Sequence, residues 1–187
     1  MKFLRNNVFE LYCQYLIVMF SGSGSDGKMI EKVEREIEKM EREARTRVDR
    51  EQYSEAVFVY QEMARLAGSI DDKRAVDFCL DAAKYSMKIK NSFRTGWSYK
   101  CAADHSFAFN DFNNAINFAM KAIEYFKKSG SMYAVQWCYN IIGRASEEIK
   151  DYGLAVKNYK KSLDIEHSDE IDNRVKELLE NKGDKKR

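Results

Sequence analysis

The 187-residue sequence contains no proline, the residue that ordinarily punctuates irregular loops and edge strands and kinks helices. With Glu, Lys, Ala, Leu and Met abundant, that absence favours helices joined by short turns. Glycine is also scarce. There are nine, and Gly22, Gly24 and Gly27 fall within one stretch of eight residues. Charge of one sign is lacking too: 32 basic against 30 acidic residues leave a net charge of +2. Such a balance, with Lys and Arg unclustered along the chain, gives no long-range field for nucleic acid. The basic run from Lys182 to Arg187 is short and reads as a solvated end.

Chemistry-bearing motifs are equally absent. The four cysteines, Cys13, Cys79, Cys101 and Cys138, form no C-x-x-C pair and have no histidine at ligand spacing. They read as small reduced hydrophobes, which points to a cytoplasmic setting and to no metal. His105 occupies an internal helix position and reads as packed rather than as a general base. His167 follows the last repeat helix, where it can complement that helix's C-terminal dipole. No G-x-x-x-x-G-K-[ST], G-x-G-x-x-G or G-x-S-x-G motif occurs. The sequence therefore predicts a non-enzyme with no catalytic residues and no cofactor.

What is present divides the chain into unlike pieces. Residues 21–28, Ser-Gly-Ser-Gly-Ser-Asp-Gly-Lys, have the composition of a flexible linker. Met29 follows like the start of a second gene product. We therefore read residues 1–20 as a separate peptide fused through an engineered linker to a domain over 29–187. Glu10, Cys13 and Gln14 interrupt the peptide's apolar run, so it makes a poor signal sequence. Its longest uninterrupted stretch, 15–20, is far below the ~20 residues of a membrane span. Leu4, Val8, Leu11/Tyr12, Tyr15/Leu16 and Met19 instead recur at helical spacing and predict one amphipathic face. Val8, Phe9, Tyr12, Leu16 and Met19 are the expected anchors, and the β propensity of residues 16–20 leaves an extended peptide as the alternative. By the ~5–6 Å × √n rule, an eight-residue linker reaches roughly 15 Å, enough to lay that face on its own domain.

From Tyr53 on, the sequence repeats every 40 residues without a gap. Asp71, Asp111 and Asp151 are in register, each placed to cap a following helix. Ala75, Ala115 and Ala155 follow, then Ala82, Ala122 and Ser162. In the preceding helices Tyr53, Phe93 and Tyr133 align, as do Val57, Trp97 and Trp137, and Val59, Tyr99 and Tyr139. Small residues at fixed places allow close helix approach, and a hairpin that cannot bury its apolar face alone must stack on copies of itself. The prediction is all-α, about eight helices in a right-handed stack of hairpins. A first helix covers 29–50. Hairpins follow at 52–68 with 71–90, 93–109 with 111–128, and 132–149 with 151–165, and a last helix covers 169–181. Ile30, Val33, Ile37, Met40 and Ala44 give the first helix a narrow apolar seam. That seam either caps the first repeat or joins two chains in a coiled coil.

Residues 71–166 resemble the soluble NSF attachment proteins, a family with tetratricopeptide-like repeats. The stretch Asn114–Tyr125 matches that family's A-I-x-x-x-x-x-A-I-E-x-Y helix. Ser129-Gly130-Ser131 stands at its short glycine turn, and 154–159 lies in the matching second helix. Members bridge SNARE helical bundles to a hexameric ATPase, so the resemblance implies an adaptor with a role in vesicle transport. The chain lacks the leucine-bearing tail that engages the ATPase, so that contact is not expected.

In stacked hairpins the first helix of each repeat commonly lines the binding face. Trp97, Lys100 and Asp104, and one repeat later Trp137, Asn140 and Arg144, share a stripe through their i, i+3, i+7 spacing. These six are the candidate peptide-binding groove, with Tyr99 and Tyr139 on another stripe as core; the competing reading makes Trp97 and Trp137 inter-repeat core. The expected partner is a protein or peptide, either residues 1–20 or the protein they come from. No nucleic acid is expected, and any membrane association would run through that partner. The alternative function is a structural oligomeriser acting through helix 29–50.

Overall fold

A computed structural model describes residues 26–184, with side chains over 27–180. The peptide anchors Val8, Phe9, Tyr12, Leu16 and Met19, most of the linker, Cys13 and the final basic residues lie outside the described residues. Among the described residues there are eight helices: α1 Asp26–Asp49, α2 Tyr53–Ser69, α3 Arg74–Lys88, α4 Ser92–Ala108, α5 Phe112–Lys128, α6 Met132–Glu148, α7 Tyr152–Leu163 and α8 Asp169–Asp184. Each packs on its neighbours in sequence, and α4 also touches α6. This is an all-α solenoid of helical hairpins.

The repeat register accounts for the packing. Ala75, Ala82, Ala115, Ala122 and Ala155 are fully buried, and they bring the second helix of each hairpin close to the first. Phe126 is the largest fully buried side chain. Its ring lies against Gly96, where a Cβ would come within 2.9 Å of Cδ1. Gly143 and the Tyr159 ring make the same kind of approach in the next hairpin, at other register positions.

The caps follow the register with one correction. Asp111 accepts from the Asn114 amide and Asp151 from the Leu154 amide, while Asn91 does the same for Arg94 at the start of α4. Asp71 caps nothing. Its backbone is left-handed (φ 55°), as at Asn110 (60°) and Lys150 (62°). Asp72 takes over the capping, its carboxylate accepting from the Arg74 amide at 2.9 Å. The turn between α2 and α3 is one residue longer than its counterparts, which moves the carboxylate by one position.

Helix α1 begins at Asp26, so the last three residues of the Ser/Gly stretch are helical. Its seam faces α2. Ile37 and Ala44 are fully buried, Val33 and Met40 pack beside them, and Met29 and Ile30 remain exposed. The outer face carries Glu–Arg and Glu–Lys pairs one turn apart, among them Glu31–Arg35 and Glu36–Lys39. Such exposed pairs add little stability. Packing on α2 is what holds this helix in place.

Candidate binding groove

The first helices bring an aromatic tier to one surface. Trp97 on α4 meets Trp137 on α6 edge-on, ring centroids 6.3 Å apart. Phe93 stacks on Trp97 at 6.3 Å, and Tyr133 meets Trp137 edge-on at 5.5 Å. Phe93 and Tyr133 lie one turn before their tryptophans, so the tier is the same pair repeated at 40 residues. Trp97 is half-buried. Phe93, Tyr133 and Trp137 are 38%, 51% and 43% exposed, which makes the tier a surface rather than inter-repeat core.

Cations sit on this tier. Lys100 Nζ lies 5.4 Å from the centre of Trp97 and 5.3 Å from that of Trp137, and it donates to Asp104 Oδ2 at 2.7 Å. Burial disfavours the ammonium, but the Asp104 carboxylate beside it outweighs burial and holds the Lys100 pKa above the ordinary lysine value. The group stays charged, as cation–π contact requires. Trp97, Lys100, Asp104 and Trp137 thus form one unit. Asn140 is half-buried on the same helix as Trp137. Arg144 is exposed but turns one step away, its guanidinium over Phe107 at 4.6 Å. There it faces a cleft of about 440 Å³ that Glu147, Tyr152 and Arg174 also line.

The sequence reading missed two members of the tier and one further exposed aromatic. Phe93 and Tyr133 were legible as aligned aromatics but not as partners of the tryptophans. Phe58, 58% exposed with the Arg94 guanidinium 4.3 Å over its ring, left no repeat signal, because Ser98 and Cys138 hold its register positions. Tyr99 and Tyr139 are half-buried beneath Lys121 and Lys161 rather than deep in the core. A separate cleft, apolar and lined by Met29, Val33 and Leu66, lies between the start of α1 and the end of α2.

Burial pushes the Cys138 thiol up to about 12, and contact with Cys101 together with burial raises Cys79. Neither is a ready nucleophile. His167 Nε2 pairs with Asp169 Oδ1 at 2.9 Å at the start of α8. His105 is half-buried and stacks on Phe109. Its ring covers Gly68, where a Cβ would come within 2.9 Å of Nδ1. Burial lowers the His105 pKa; Asp104 opposes that shift and Lys100 reinforces it. Above the ordinary histidine value of 6.5 the ring is neutral in both folded and unfolded chains and contributes nothing to pH dependence. Below 6.5 the unfolded chain takes the proton first, so stability falls. Denaturant melts across pH 7.5–5 should show this loss in the wild type and a flatter profile in His105→Phe.

The fold defines the class: a tetratricopeptide-like stack of helical hairpins. No protein-family model matches the sequence, and comparison with curated proteins returns no match. Among solved structures, the chain is similar to the N-terminal domain of stress-induced protein-1 (STI-1) from C. elegans. The identity is 22% and the TM-score 0.62, over 68% of this chain and 97% of that one. It is also similar to BtubC (BKLC) from P. vanneervenii, with 17% identity and a TM-score of 0.52, over 77% of this chain and 74% of that one. Both likenesses are of fold. No helix among the described residues is long and apolar enough to cross a membrane.

Proposed function

We propose that this protein is an interaction adaptor, non-enzymatic, whose α2–α4–α6 face takes an apolar helical segment, and that residues 1–20 supply such a segment in cis. The observation that supports the reading is the tier Phe93–Trp97–Trp137–Tyr133. Contiguous exposed aromatics are costly to leave against water and mark interaction surfaces. Aromatic residues with Arg and Lys at their edges are the composition of binding hot spots. A segment repeating Val8, Phe9, Tyr12, Leu16 and Met19 offers a complementary apolar face, and tethering would hold it at an effective concentration of about millimolar. The narrower kinship with the NSF attachment proteins, with its vesicle-transport role and cytoplasmic site, rests on the sequence of 71–166. The alternative, oligomerisation through α1, is disfavoured because Ile37 and Ala44 are already consumed by α2.

The test is titration of a synthetic 1–20 peptide into residues 26–187. Trp137→Ala should change stability by less than about 1.5 kcal/mol, since only surface ring contacts are lost. Affinity for the peptide should drop more than tenfold, ~1.4 kcal/mol. Unchanged affinity would remove the groove assignment. In that case Leu66→Asp, in the cleft between α1 and α2, reports whether the peptide docks there.

A further inference from the structure

The near-neutral charge of the whole chain conceals a segregation. Helices α5 and α7 carry Lys121, Lys127, Lys128, Lys157, Lys160 and Lys161 against one acidic residue, Glu124. All six lysines are exposed, and none forms an ion pair with a described residue. Lys121 and Lys161 hold equivalent positions one 40-residue repeat apart, so the exposed faces of the second helices of two consecutive hairpins carry like charges that lie far apart in sequence.

These amines are also positioned. Lys121 lies over Tyr99 at 5.4 Å and over Phe118 at 5.8 Å, and Lys161 lies over Tyr139 at 5.2 Å. The Tyr99–Lys121 and Tyr139–Lys161 pairs are one 40-residue repeat apart, so the same arrangement recurs on adjacent hairpins. Lys128 lies over Tyr125 at 4.8 Å. Met120, 48% exposed, stands among them.

We propose that this lysine ridge docks the protein on an anionic lipid bilayer. The ridge contains no arginine, whose planar fork is what reads individual carboxylates or phosphates bidentately. Ammonium groups are point charges and suit a diffuse anionic layer. Half-buried tyrosines under cations, with an exposed methionine between, match the mixed polarity of the headgroup region. Electrostatic attraction decays within about 10 Å at 0.1 M salt, so a local cluster binds where net charge of +2 would not. The ridge lies on the second helices, and the proposal does not depend on the groove.

Co-sedimentation of the full chain with phosphatidylserine–phosphatidylcholine vesicles, and with phosphatidylcholine vesicles, tests this. Binding is expected only to the former, weakening as salt rises. Replacing Lys121, Lys128 and Lys161 by Gln should lower partitioning at least about tenfold, since each lysine near such a surface contributes a several-fold factor. Lys157→Gln with Lys160→Gln, which disturbs no ring contact, should weaken it in the same direction. Removing the same charge elsewhere, at Lys28, Lys32 and Lys73, should leave binding intact. The proposal is overturned if anionic vesicles are not bound. It also fails if the ridge and control variants bind alike, which would move the contact to residues 1–20 or to net charge. Binding of duplex DNA or a polyglutamate peptide through the ridge, without vesicle binding, overturns it equally.

Discussion

Phe126→Ala is expected to lower the unfolding free energy by about 3–5 kcal/mol, the range for deleting a fully buried aromatic side chain. Phe126 is completely buried, tilts against Phe93 at 5.8 Å and covers the backbone of Gly96. One ring therefore ties α5 to α4 and supports the underside of the aromatic tier. Its loss leaves a cavity that Gly96, with no side chain, cannot fill. Urea melts of wild type and variant give the comparison. Trp137→Ala in parallel should cost far less, because Trp137 already meets solvent. Equal losses would mean that the tier is core.

The second large effect is expected at Gly143. Alanine for glycine inside a helix ordinarily gains about 0.5–1 kcal/mol. Here a Cβ would come within 2.6 Å of Tyr159 Cδ1 and 2.8 Å of Cζ, so the ring would have to move. It is not free to do so. Tyr159 is buried, and its hydroxyl donates to Glu147 Oε1 at 2.6 Å. Arg174 Nε also donates to Glu147, at 2.8 Å. Burial would raise the Glu147 pKa, but these two donors outweigh it and hold the carboxyl below the usual glutamate value. Gly143→Ala should therefore destabilise, against its helix propensity, and Gly143→Val should lose about 3 kcal/mol, the upper end of overpacking costs. Thermal melts would settle the sign. A stabilised Gly143→Ala would mean that the Tyr159–Glu147–Arg174 chain is slack.

Much of this architecture was legible beforehand because it is local and periodic. Without proline, and with small residues recurring every 40 positions, the chain has few ways to bury its apolar faces except as stacked hairpins. The hairpin boundaries fell within a few residues of those observed. Asp71 failed as a cap for a reason periodicity cannot reveal. A one-residue change in turn length leaves the spacing of the helices' apolar residues intact while moving the capping carboxylate to Asp72.

The candidate site was legible only in part, because surfaces are made between helices. Trp97, Lys100 and Asp104 lie on one helix, so their spacing alone placed them together. That Lys100 lies over tryptophans from two helices depends on how closely α4 and α6 approach, and this follows from packing. Phe58 could not be read, since its register partners are a serine and a cysteine. The lysines of α5 and α7 are scattered along the chain and cancel in the net charge. The repeat places Lys121 and Lys161 at equivalent exposed positions on the second helices of consecutive hairpins. The amino-acid sequence by itself determined the elements, their order and the repeat, because hydrophobic period and helix propensity act within a turn or two of the chain. Only the tertiary structure decided which aromatics stay exposed and which charges share a face, because those depend on distances between helices that no sequence spacing encodes.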